Sequence, residues 1–347
     1  MARGASEQRV PAAYLTARRL VGVLLLLGGL LVASLLAATL IGPTPIRLAA
    51  ALGGDAGETP DHAIVFQARL PRVLLGGVVG ASLAAAGAVL QALLGNALAD
   101  PHLLGVSAGA AVAGVVVLVA GADPVSPLVP GAAFLGALAT VAAVFLGART
   151  GGRTSPHAIL LVGVVCNALA ASAIMLVNAI ASYTQAQGVL FWIMGALSTQ
   201  SYALVGAVAV YATLGLGWLW RHAHALNLLA AGEEGAASLG VDVERTRRAV
   251  FFGAALLVGA AVSVSGMIGF VGLIVPHVLR LILGPDLRLL LPASFLGGAI
   301  FLVWADTLAR TVLGTSELPV GVVTAFLGGP FFVWLLRRSL RVGTEAR

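Results

Sequence analysis

Arg69 and Arg72 stand on either side of Leu70-Pro71, and Arg310 follows Asp306 by four residues. In so apolar a chain, the chemistry these guanidinium groups offer is the bidentate binding of carboxylates. Two readings stay open. In one, each arginine snorkels to headgroups or pairs locally, Asp306 and Arg310 meeting at i,i+4 on one helix face. In the other, the arginines form a basic rim that receives carboxylates of an extracytoplasmic partner. Other chemistry finds little support. The six histidines, at 62, 102, 157, 222, 224 and 277, form no HExxH and no metal-spaced pairing with cysteine. His222 and His224 read as a solvated extension of the charge on Arg221, and His277 as a satisfied polar residue. GxSxG is absent, and no pair of carboxylates lies within an apolar run. All 20 basic residues are arginine. Without the lysine of GxxxxGK[ST] the chain cannot itself be a conventional ATP motor.

These residues need elements to hold them, and the composition says what kind. Of 347 residues, 59% are hydrophobic, 10% are charged and 44 are glycine, with a mean hydropathy of +1.02. A soluble domain carries about 25% charged residues. The apolar residues fall in runs long enough for bilayer-spanning helices, at 20–41, 71–94, 103–120, 131–148, 158–181, 202–220, 248–267, 270–284, 289–309 and 319–336. The expected fold is an all-α polytopic membrane protein of about ten spans, with a single transmembrane domain over 20–338 between tails at 1–19 and 339–347. The first run follows Arg18 and Arg19 as a signal peptide would. It exceeds an h-region of about 7–15 residues, so it reads as a retained helix. The eighth run contains Pro276, His277 and Arg280, which only burial inside protein would tolerate. Cys166, the single cysteine, reads as a small buried hydrophobe.

With a cytoplasmic N-terminus, sixteen of the twenty arginines fall on the inside, which also puts the C-terminus there. The exceptions are Arg47, Arg69, Arg72 and Arg310. The net charge of +6 is spread over short loops, so no nucleic-acid surface is expected. The longest inner loop, 221–248, contains Gly232-Glu233-Glu234, an apolar stripe of Ala236, Ala237 and Leu239, and then Gly240. This reads as a short helix with acids at its positive end and a glycine after it. It is either a solvated linker or an element that docks on a cytoplasmic partner. In the second run Gly76, Gly80, Ala84 and Gly87 line one stripe, which lets backbones approach closely. The interval from Gly80 to Gly87, followed later by Pro101-His102, is echoed from Gly259 to Gly266 and Pro276-His277, which suggests an inverted repeat. Asn167, Ser172 and Asn178, like Gln91 and Asn96, either wet a pathway or hydrogen-bond between helices.

RLPRVLLGGVVGASLAAAGAVLQALLGNALADPHLLGVSAGA, from Arg69 to Ala110, closely resembles the signature of the permeases of bacterial iron-siderophore, haem and cobalamin ABC importers. GEEGAASLGV, GMIGFVGLIVPHVLRLILGPDLRLLLPAS and ELPVGVVTAFLGGPFFVWLLRR are similar to the same family, in its order, over about 65–338. The resemblance implies a ten-helix, type II importer permease in the bacterial inner membrane that pairs with a second copy of itself. Two cytoplasmic ATPases would hold ATP and Mg, the permease binding no cofactor or metal and catalysing nothing. A periplasmic or lipid-anchored binding protein would deliver an iron chelate, siderophore or haem. Cobalamin is the alternative cargo, and ion-coupled secondary transport and a structural scaffold are the alternative classes. By the same resemblance, Arg69, Arg72 and Arg310 look like docking partners for glutamates of the binding protein. The segment from Gly232 to Gly240 looks like the coupling helix. The inner gate would lie near Asn96 and Leu98 and near Thr154 and Ser155, with Gln91, Asn167 and Ser172 the candidate pathway residues from their place in the runs. The family's asparagine-proline-leucine-alanine reads Asn96-Ala97-Leu98-Ala99 here.

Overall fold

The structure, a computed structural model, describes residues 15–53, 59–123, 126–150, 153–198, 201–314 and 316–345. Thr16 caps α1 (Ala17–Leu40) by accepting from the Arg19 amide. The short α2 (Leu48–Leu52) and α3 (Pro60–His62) follow, then a π-helical stretch, Ala63–Arg69, that runs directly into α4 (Leu70–Leu93). The chain therefore enters its second span well before position 71. A 3-10 turn, Pro101–Leu104, leads into α5 (Val106–Val119) and then α6 (Leu128–Gly147). A two-stranded hairpin, β1 (Arg149–Thr150) with β2 (Arg153–Thr154), joins α6 to α7 (Pro156–Ile180). A capping box between Ser182 and Gln185 starts α8 (Tyr183–Ile193), and Ser201 caps α9 (Tyr202–Arg221).

The loop over 221–248 is mostly helical: α10 (Ala223–Ala231) and α11 (Glu233–Ser238) fill it, and α12 (Val243–Ser265) begins earlier than the apolar run. Asp242 caps α12 with Glu244 in its first turn, so the acids favour a helix start upstream of the hydrophobic stretch. Last come α13 (Val271–Leu283), α14 (Leu287–Thr311) and α15 (Val320–Glu345). All ten expected spans are helices. Eight are long and apolar enough to cross a membrane, and α5 and α13 are shorter.

At the centre, α4 is buried along nearly its whole length and packed by α14, α12 and α13. The small-residue stripe explains the closeness. A Cβ on Gly80 would run into the Gly298 carbonyl, one on Gly298 into Gly80, and one on Gly87 into the backbone of Gly272. Gly76 faces Leu197 instead, so the stripe serves several neighbours. The internal echo has a structural counterpart. Each of the two most buried helices, α4 and α12, is followed by a short one, α5 of 14 residues and α13 of 13. By contrast α7 leaves Leu161, Leu169, Met175, Leu176 and Ile180 exposed, as a helix facing lipid or another protein does.

Asp286, just outside α14, caps it by accepting from the Arg288 amide, and also accepts from Asn227 Nδ2 at 2.7 Å. Its hydrogen bond from the Arg288 side chain, helped by that from Asn227, holds its carboxyl below the usual carboxylate range against the opposing effect of burial. A lowered folded pKa contributes stability above the unfolded value of about 3.9 and loses it as pH falls through the folded value. Asp286→Ala should cost about 1 kcal/mol near neutral pH through the lost cap. The gap between its thermal midpoint and that of the parent should close as the pH is lowered towards 3, as measured in detergent.

Candidate functional site

Two ends of the bundle carry the candidate residues. At one end, α1, α4 and α14 meet around Asp306, which is 1% exposed. Arg72 donates to Asp306 Oδ1 through Nε at 3.1 Å and Nη2 at 3.0 Å, and through Nη1 to Glu317 Oε2 at 2.6 Å. Arg310 Nε lies 3.0 Å from Asp306 Oδ2, close enough for an ion pair but not aligned as a hydrogen bond. Arg310 Nη2 donates to the Ala38 carbonyl at 3.2 Å, and Arg69 Nη1 to the Leu40 carbonyl at 3.0 Å. Arg69 Nη2 also donates to the Thr44 carbonyl.

Ala38 and Leu40 belong to the last turn of α1, whose carbonyls have no amide partners within the helix. Two of the three arginines thus satisfy a helix C-terminus with cations, where the dipole favours them. Arg69 and Arg310 are only 5% and 3% exposed. The side chain of Arg72 is 13% exposed and that of Glu317 52%. Local pairing of these arginines is therefore real, and what reaches the surface is the Arg72–Glu317 pair.

At the other end, α11 projects from the loop. Its Ala236 is buried, whereas Glu234, Ala237 and Leu239 are exposed, Leu239 by 69%. Gly240, at φ +86, ends it: Gly240 N donates to the Ala237 carbonyl and Val241 N to the Ala236 carbonyl. This is the Schellman arrangement, which a left-handed glycine permits. Glu233 pairs with Arg247 of α12, fixing α11 against it, and Gly232 places the start of the helix.

The candidate gate residues do not form one cluster. Asn96 Oδ1 accepts from the Leu98 amide at 2.9 Å and its carbonyl accepts from Ala99 at 3.1 Å. Neither bond uses the Ala97 amide, so the turn forms without the family's proline. Leu98 packs with Leu273, Ile274 and Leu335. Asn167 Nδ2 donates to the His102 carbonyl at 3.0 Å, and the exposed Ser172 to its own helix at Ala168. Gln91 is buried against α13. Ser155 starts α7 and is exposed. Thr154 is placed by its backbone in β2, while its side chain lies outside the described residues.

The model of the FecCD transport family matches residues 26–338. The chain belongs to that family. A FecCD chain is a multi-pass permease of the ABC transporters. It is 45% identical over 294 residues to the "Cobalamin import system permease protein BtuC" of Halobacterium salinarum, covering 84% of this chain and 78% of that one. It is 43% identical over 277 residues to the "Hemin transport system permease protein HmuU" of Yersinia pestis, covering 78% and 82%. A solved structure described as "An inward-facing conformation of a putative metal-chelate type ABC transporter" superposes with a TM-score of 0.80 at 31% identity, covering 92% of this chain and 99% of that one.

Two features of this FecCD chain escaped the residue-by-residue reading. Glu317, an acid 245 residues from Arg72, completes the rim network. It had a local signal, being the acid just before the start of the last span. A cavity of about 460 Å³ opens between α5, α6, α8 and α12, lined among others by Gln185, Trp192, Ser263 and Ser265. None of the candidate gate residues lines it, and its wall comes largely from α8, which is too short to have registered as a span.

Proposed function

We propose that this FecCD permease imports an iron chelate, a siderophore complex or haem, across the bacterial inner membrane as a homodimer driven by two separate ATPases. A binding protein delivers the chelate to the outer face, and both termini are cytoplasmic. The observation that carries the reading is the pair of surfaces at opposite ends of one bundle: the Arg72–Glu317 pair at one, and α11 with an exposed Leu239 at the other. On this reading Arg72 exchanges Glu317 for a carboxylate of the binding protein, with Arg69 and Arg310 holding α1 and Asp306 in place behind it. The segment Gly232–Gly240 sits in a groove of the ATPase, and hydrolysis there changes the spacing of the two docked segments and switches the pathway between outward- and inward-facing states. The relative named for haem supports an iron cargo, as does one from Bacillus subtilis named for Fe(3+)-citrate import. The relative named for cobalamin supports the alternative, a cobalamin importer.

Ion-coupled transport would need a titrating acid in the spans. Asp306 is the buried acid of α14, and both of its carboxylate oxygens are engaged by the guanidinium groups of Arg72 and Arg310. The test reconstitutes the permease in liposomes with its cognate ATPase and binding protein and supplies a ferric siderophore, haemin or cyanocobalamin. ATP-dependent uptake of an iron chelate is expected, and Leu239→Glu should abolish it while the protein accumulates normally. Uptake of cyanocobalamin alone would favour the alternative. Uptake that follows a proton gradient and ignores ATP would overturn the reading.

A further inference from the structure

A proline within a helix deprives the carbonyl four residues earlier of its amide donor, and in a membrane no water replaces it. In α13 the proline is Pro276, and the carbonyl is that of Gly272. The donor comes from another helix. Gln91 Nε2, on α4, donates to the Gly272 carbonyl at 3.1 Å and reaches that of Leu273 at 3.5 Å. The other end of the same carboxamide is held too, because Gln91 Oε1 accepts from Arg280 Nη2 at 2.8 Å. Gln91 is 3% exposed, so this contact accounts for its side chain.

The packing brings the two groups together. Gly87, one turn before Gln91 on α4, lies where a Cβ would strike the backbone of Gly272, and a Cβ on Gly272 would strike the Leu83 carbonyl. The same substitution occurs once more. Pro292 of α14 deprives the Arg288 carbonyl, which accepts from Trp220 Nε1 of α9 at 2.9 Å.

We infer that Gln91 is a positioning residue for transport: its carboxamide stands in for the amide that Pro276 lacks and, oriented by Arg280, ties the broken helix α13 to α4 so that the two move as one body. Gln91 thereby acts between helices instead of lining a pathway. The inference rests on this chain's own packing and holds whichever cargo is carried.

The test is a double-mutant cycle with Pro276→Ala, which returns an amide to position 276 and lets α13 satisfy Gly272 by itself. In the parent, Gln91→Met should lower the thermal midpoint in detergent by roughly 3–6 °C. It should also cut several-fold the binding-protein-stimulated ATPase activity of the assembled complex, read as released phosphate. In the Pro276→Ala background the same change should shift the midpoint by less than about 1 °C and leave that background's ATPase activity unaltered. Gln91→Glu, which keeps an acceptor for Arg280 but cannot donate to Gly272, should show the same dependence on background and serves if Gln91→Met fails to accumulate. Equal losses in both backgrounds would overturn the inference, since they would mean that Gln91 matters for reasons unrelated to Pro276.

Discussion

Asp306→Asn should destabilise the protein by about 3–5 kcal/mol, because it leaves two guanidinium groups facing each other around a neutral amide inside the bundle. Asp306 and Arg310 are 1% and 3% exposed, so water cannot replace the lost charge. Arg72 retains Glu317, but Arg310 keeps only the Ala38 carbonyl and the Thr307 hydroxyl, both neutral acceptors. In thermal unfolding followed by intrinsic fluorescence in detergent, the midpoint should fall by about 6–12 °C. The second half of the experiment separates charge from shape. Asp306→Asn combined with Arg310→Met removes the unpaired cation and should recover a good part of the loss, since a buried pair is often worth little more than an apolar replacement. A parental midpoint for Asp306→Asn alone would mean that the network contributes nothing. No recovery in the double variant would point to the α1 carbonyl contact instead.

Gly80→Leu should prevent the protein from accumulating in the membrane at all. An added Cβ at this position meets the Gly298 carbonyl and the Leu302 side chain, and a backbone carbonyl in the middle of α14 has nowhere to go. Even Gly80→Ala has to push α4 and α14 apart, at a cost of about 1–3 kcal/mol. The comparison that gives the experiment its meaning is Gly28→Ala on α1, where an added Cβ meets nothing within 4 Å. There the lost flexibility of glycine should make alanine neutral or slightly stabilising, by up to about 1 kcal/mol. Detergent-extracted fluorescence of a tagged protein on size exclusion reads both. A Gly80→Leu protein eluting as a sharp parental peak would refute the close-packing argument.

Gly28 and Gly80 both sit in long apolar runs; the stripe of small residues marks Gly80 as a close contact, but not that Gly298 is what it meets. That contrast marks the limit of what was legible. Periodicity along the chain exposes local facts: where each apolar helix lies, that Gly240 stops α11, that the eighth span is broken, that four arginines are out of place. It does not expose which distant residue answers each of them. Arg72 finds Asp306 across 234 residues and Arg280 finds Gln91 across 189. Such pairs depend on how the helices are arranged around α4. The same holds for the rim. The spacing of Arg69, Arg72 and Arg310 spoke equally for local pairing and for docking, and only the burial of two of them divided the roles. The helices α8 and α10 were missed for a different reason: at 11 and 9 residues they are too short to span and too apolar to stand out from the runs beside them.

The shortness of α5 and α13 has a consequence for how the chain is held in the membrane. At 1.5 Å per residue, helices of 14 and 13 residues reach about 20 Å, roughly 10 Å less than the hydrocarbon layer. Neither is long enough to span the hydrocarbon layer by itself. On length and hydropathy α4 and α12 can cross the bilayer by themselves, whereas α5 and α13 depend on the long helices packed around them.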